Sequence, residues 1–233
     1  MNHQDLINAC RQDWLAYTQH GFIEQLAKGT LAHWHTGTLA QPCYLHYLKQ
    51  DFLFLKQYAR AHALAIYKAD SLAHMRTALT SVNALLGSEL KHHVDYCADW
   101  GLTESDLEAE DEDFGTVAYT RYVMDAGMKG NMVDLYVALA PCSIGYAEIG
   151  RNLTTDKHTK RHGNPFESWI SLYGGDQFQH GVTQSTTQVD RLIAEIDSQS
   201  QRGQDLMKVF STATRMEIIF WQQALNAVSL EHV

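Results

Sequence analysis

The chain has 233 residues, 45% of them hydrophobic and 19% charged, with a formal net charge of −9. That length supports one sizeable core in a single domain over residues 1–233, and the composition is that of an ordinary globular protein. The acidic balance argues against nucleic-acid or anionic-membrane partners, and no basic run interrupts it.

No stretch approaches about 18 uninterrupted apolar residues, so no membrane-crossing helix is expected. Residues 1–6 (MNHQDL) lack the basic and apolar regions of a signal peptide. Cys10, Cys43, Cys97 and Cys142 are widely spaced with no CxxC pair. This predicts reduced thiols and a cytoplasmic location.

Helical periodicity dominates the chain. Leu6, Ile7, Cys10, Trp14 and Tyr17 predict one amphipathic helix over 2–18, followed by a short piece over 22–28 that stops at Gly29. Residues 30–41 read as a loop or short turns, and no pattern places His33, Trp34 or His35. Pro42 suits the first turn of a long helix to Lys68, with Tyr44, Tyr47, Leu48, Asp51, Phe54, Leu55 and Tyr58 facing inward. Asp70 and Ser71 cap a helix over 72–100, stopped by Gly101. The acidic run 103–113 reads as a solvated turn with a short helix at 104–107. Residues 116–127 form a short helix, and 131–150 a long apolar one with Pro141 in its interior. Pro165 opens a brief helix over 166–173, and helices over 176–198 and 203–228 complete the chain. With no strand or hairpin signal, the class is all-α.

Two carboxylates sit where water is scarce. Asp51 lies on an aromatic stripe. Glu217 lies on the stripe Phe210, Ala213, Phe220, Trp221 and Ala224. A carboxylate on an apolar face must be paired, hydrogen-bonded or protonated. One such acid is commonly a structural partner; two on separate helices point to a polar pocket. Cys142 and Tyr146, four apart after Pro141, share a helix face, although buried thiols usually only fill space. Glu89 and His93 are four apart among polar neighbours, which favours an ordinary surface pair. Tyr119, Tyr146 and Tyr173 are individually core-like; together they could stack on and hydrogen-bond a planar heterocycle.

These residues, taken in order, resemble the TenA family, the thiaminase II or aminopyrimidine aminohydrolase group. The resemblance runs through LKQD at 48–51, ELKHH at 89–93, AYT at 118–120 and LAPC at 139–142. It continues through Gly145-Tyr146, WISLYGGD at 169–176, and Glu217 ahead of Phe220-Trp221. It implies a haem-oxygenase-like multi-helix bundle without haem or other cofactor, no metal, and a homotetramer. It also implies hydrolysis of 4-amino-5-aminomethyl-2-methylpyrimidine to the hydroxymethyl pyrimidine and ammonia, with thiamin as a further substrate. By match to the family pattern, Cys142 is the nucleophile and Glu217 the acid/base. Asp51 hydrogen-bonds the aminopyrimidine edge, Tyr119 stacks on the ring, Tyr146 and Tyr173 position it, and His93, with Glu89, lines or supports the pocket. Phe54 stands where many relatives carry Tyr, so a ring is kept and a hydroxyl lost.

Two other readings compete. A haem-oxygenase-like di-iron oxidase would use the acid–His pairs Glu89/His93 and Asp176/His180, though no third bridging carboxylate stands at a matching position. A non-catalytic pyrimidine-binding regulator would need the same pocket without turnover.

Overall fold

A computed structural model describes residues 1–29 and 39–230. The predicted loop over 30–41, with His33, Trp34 and His35, falls largely outside these residues. Helices α1 (His3–Ala9) and α2 (Arg11–Thr18) replace the single N-terminal helix that periodicity predicts. The backbone breaks at Cys10, whose φ of −127° and ψ of 36° leave the helical range. Helix α3 (Gly21–Lys28) ends on Gly29, which takes the left-handed φ of 59° that glycine tolerates.

Helix α4 (Gln41–Lys68) runs 28 residues, with Pro42 in its first turn as expected. The predicted helix over 72–100 is in fact three segments. They are α5 (Leu72–Ala84), a π turn (Leu85–Glu89) and α6 (Leu90–Ala98). Then follow α7 (Glu104–Ala109), α8 (Phe114–Lys129), α9 (Met132–Thr155), α10 (Glu167–Gly174), α11 (Asp176–Ile193) and α12 (Gln201–Leu230). Among the described residues there is no β-strand, as the all-α class requires.

Helix α9 is the axis of the bundle, packing on α2, α4, α8, α10, α11 and α12. By length and composition α9 could cross a membrane, yet 72% of its most apolar window is buried inside the bundle. Its apolarity is that of a core helix. The helix continues through Pro141, which is itself buried.

Two glycines set how closely α9 meets α10. A Cβ on Gly150 would lie 2.3 Å from the backbone carbonyl carbon of Tyr173, and one on Gly174 would lie 2.8 Å from the carbonyl oxygen of Gly150. Only hydrogen fits at either position, so the helices touch backbone to backbone directly beside Tyr173. A third glycine, Gly145, makes room for Tyr17: a Cβ there would lie 2.1 Å from the Tyr17 ring.

Candidate active site

Four long-range helices carry the central groups. Asp51 comes from α4, Tyr119 from α8, Cys142 and Tyr146 from α9, and Glu217 from α12; α10 adds Tyr173. The acids are buried as their apolar stripes predict, Asp51 at 3% exposure and Glu217 at 1%. Cys142 is half-buried.

Glu217 is held from two sides. The Tyr119 hydroxyl donates to Glu217 Oε1 at 2.7 Å. Tyr17 brings its hydroxyl near enough to favour the ionised acid while making no well-formed hydrogen bond itself. Burial outweighs both and pushes the Glu217 carboxyl up to about 8. The Cys142 thiol lies against this carboxyl. Burial first, then the charges of Glu217, Asp51 and Glu89, push the thiol well above its ordinary range.

Asp51 is also pushed up to about 8, by burial first and then by the charge of Glu89. The Tyr47 and Tyr146 hydroxyls oppose this by favouring the carboxylate. Asp51 Oδ2 has no hydrogen-bond partner and lies 3.5 Å from Nδ1 of His93. The His93 Nε2 lies 2.9 Å from the carbonyl oxygen of Leu48, which can only accept, so Nε2 carries the proton and Nδ1 faces Asp51 bare. Burial lowers His93 to about 4. Near neutral pH both members of this pair are therefore uncharged, the proton residing on Asp51.

Aromatic rings close the surroundings. Tyr146 stacks on Trp221 at 5.3 Å between centroids and meets Tyr173 edge-on at 4.9 Å. Trp169 lies 4.5 Å from Tyr173 and donates its Nε1–H to the Tyr47 hydroxyl at 2.9 Å. Phe54 contacts Tyr119 at 4.9 Å and stacks on Tyr58 at 5.6 Å. The Tyr58 hydroxyl donates to the carbonyl of Leu139, two residues before Pro141. Two recesses flank the cluster. Tyr58, Leu139 and Ser143 border one; Leu48, His93, Trp169 and Tyr173 border the other.

All eight residues singled out from the sequence thus fall in one neighbourhood. Four others were given no role and belong to it: Tyr17, Tyr47, Trp169 and Trp221. Tyr47 stands one turn before Asp51 on the same predicted stripe, a signal already present; nothing local marks Tyr17. The surface-pair reading of Glu89 and His93 is wrong. His93, on α6, is buried against α4, and no hydrogen bond or ion pair joins it to Glu89. The neighbouring Lys91 and Asp95 make the exposed i,i+4 pair instead, at 2.6 Å.

The di-iron ligand set does not assemble. Asp176 and His180 are exposed at the start of α11, and among the described residues no three His, Cys, Asp or Glu side chains converge to hold a metal ion.

The helical bundle thus gathers a thiol, two buried acids and an aromatic wall, and its fold is heme oxygenase-like. A domain from Shewanella denitrificans described as having that fold matches at 13% identity with a TM-score of 0.73, covering 99% of this chain and 95% of that one. The chain belongs to the TENA/THI-4/PQQC family, whose model matches residues 7–227. It is 31% identical to an aminopyrimidine aminohydrolase of Halalkalibacterium halodurans over 91% of this chain and 90% of that protein. A solved structure from Silicibacter sp., described as a TenA family transcription regulator, is 37% identical with a TM-score of 0.84, covering 94% of both chains.

Proposed function

We propose that this chain is an aminopyrimidine aminohydrolase of the thiaminase II type. It converts 4-amino-5-aminomethyl-2-methylpyrimidine to the hydroxymethyl pyrimidine and ammonia, with thiamin as a further substrate. The observation that carries this reading is the meeting of Cys142, Glu217 and Asp51, from three helices, inside an aromatic wall.

The chemistry follows from the protonation states. A protonated Asp51 offers one O–H donor and one carbonyl acceptor, which match the ring nitrogen and adjacent amino group of an aminopyrimidine. Tyr119 and Phe54 supply the stacking surface, and Tyr146 and Tyr173 the positioning hydroxyls. His93 lines the pocket beside Asp51. In the fraction of enzyme with Glu217 ionised, that carboxylate takes the Cys142 proton. A carboxylate raised toward a thiol's range is a better-matched base than an ordinary one. The thiolate forms a carbon–sulfur bond at the ring position beside the substituted carbon. The C–N bond then breaks, nitrogen keeping the electron pair and leaving as ammonia, which takes up the proton held by Glu217. Water adds to the exocyclic methylene and passes a proton to Glu217. The carbon–sulfur bond breaks, and the departing thiolate recovers a proton from the same acid. One difficult substitution becomes two easier steps.

We further propose that residues 1–233 act as one cytoplasmic domain within a homotetramer. Leu72, Leu79 and Leu86 recur every seven residues along α5 and the π turn, and are 67%, 47% and 56% exposed. Such a stripe is the pattern of a helix that packs on another copy.

Ammonia release from the aminomethyl pyrimidine, and cleavage of thiamin, test the activity. Cys142→Ala is expected to abolish both, and activity surviving that change refutes the nucleophile. Cys142→Ser separates catalysis from mere binding: lost turnover with retained pyrimidine binding supports the enzyme. Absence of turnover in the unmutated protein would favour the regulator instead.

A further inference from the structure

A π turn interrupts the helical run that leads to His93, and no step above uses the residue that ends it. A π turn holds one more residue than an α turn, so everything after it is rotated by roughly 100° relative to an unbroken helix. Here the turn ends on Glu89. Beyond it, Lys91 and Asp95 pair in solvent, while His93, one turn after Glu89, is buried against Asp51 and Leu48. Glu89 is half-buried, and among the described residues it makes no hydrogen bond or ion pair. Its charge bears on Asp51, Tyr58, Cys142 and Tyr173, contributed by three other helices.

The charge inventory of this region is one-sided. Asp51, Glu89 and Glu217 are its acids, and among the described residues no Lys or Arg makes a hydrogen bond or ion pair with any of them. Asp51 Oδ2, on a residue 97% buried by its 3% exposure, is left without a partner, as is the buried hydroxyl of Tyr17. A buried acid cluster with orphaned polar atoms is completed by a ligand that brings donors and positive charge. The aminomethyl pyrimidine carries an ammonium at its methylene, and thiamin carries a thiazolium at the same carbon. The hydroxymethyl product carries no charge there.

We propose that Glu89 is a specificity-determining residue of this site, its carboxylate selecting pyrimidines that bear a cation on the methylene over the neutral hydroxymethyl product. The inference rests on the aminohydrolase reading and deepens it. Binding energy is placed on the leaving group, so affinity falls once that group has gone, which favours release of product over its retention.

Burial raises Glu89 to about 7. Part of the population therefore already carries charge near neutrality, and an arriving cation draws out the rest.

Glu89→Gln in a Cys142→Ser background tests this, with both ligands titrated calorimetrically near pH 7.5. The expected result is loss of affinity for the aminomethyl pyrimidine on the order of tenfold, with the hydroxymethyl pyrimidine unchanged within about twofold. With Cys142 present, KM for the cationic substrate should take the larger share of the loss in kcat/KM. Glu89→Asp, which keeps the charge, should restore most of the selectivity. Equal losses for both ligands would reveal a purely structural residue, and no loss for either would remove Glu89 from the site. Both results overturn the proposal while leaving the aminohydrolase intact. If the Cys142→Ser parent binds neither pyrimidine and the unmutated protein releases no ammonia, the functional reading itself has failed.

Discussion

Tyr119→Phe isolates the link between Glu217 and the pH at which the site works. The change removes only the hydroxyl that donates to Glu217 Oε1 at 2.7 Å, leaving the ring against Phe54. A hydrogen bond to a charged acceptor contributes about 1.5–3 kcal/mol to the ionised form. At about 1.4 kcal/mol per pH unit, its loss raises the Glu217 midpoint by roughly one to two units above its present position. Glu217 stands at about 8, so near neutral pH a minority of sites are ionised and able to accept the thiol proton. In Tyr119→Phe that fraction falls roughly ten- to a hundredfold, and kcat/KM near pH 7 should fall with it. The loss should be recovered as pH rises. Ammonia release followed from pH 6 to 10 reads this as a rising limb moved to higher pH. A uniform loss of activity with the limb unmoved would refute Glu217 as the base.

Three further changes read other parts of the argument. Asp51 has a folded value of about 8 against an ordinary 3.8, so the folded state holds an extra proton between those limits. Stability is therefore fully present below about pH 4 and declines as pH rises toward 8. Asp51→Asn removes that decline, and chemical denaturation should find it more stable than the parent by at least about 1 kcal/mol at pH 9, with little difference at pH 4. Gly150→Ala forces a methyl into the backbone of Tyr173 and should cost about 1–3 kcal/mol or more in thermal unfolding, with a fall in kcat/KM as Tyr173 shifts. Gly181→Ala, on the exposed face of α11 with nothing within 4 Å of the added carbon, should instead stabilise by about 0.5–1 kcal/mol.

How far the sequence reveals this molecule depends on the length scale of each signal. Repeated apolar spacing marks α4, α9 and α12 along their lengths, because dozens of residues report the same face. Asp51 and Glu217 stand out for the same reason, as charges on stripes otherwise apolar. The π turn adds one residue and alters no spacing rule within a short window, so the rotation that turns His93 inward leaves no trace. The polar neighbours Lys91 and Asp95 then lend Glu89 and His93 the look of a surface pair. Tyr17 reaches Glu217 only because Gly145, on a distant helix, has no side chain. That is a property of the pair, invisible in either segment alone. The break at Cys10 has no counterpart in proline, glycine or capping chemistry, and we find no local cause for it.

Of the five tryptophans in the chain, two form part of the aromatic wall: Trp221 against Tyr146, and Trp169 against Tyr173. The site consequently carries its own fluorophores. A heterocycle entering between these rings alters the polarity and contacts of both indoles, so occupancy registers as a change in ultraviolet emission with no label attached. Trp14 is fixed by Glu148 at 3.0 Å and Trp100 lies flat on Phe166. Replacing Trp169 and Trp221 singly with Phe would therefore assign the signal and report which side of the wall a ligand meets first.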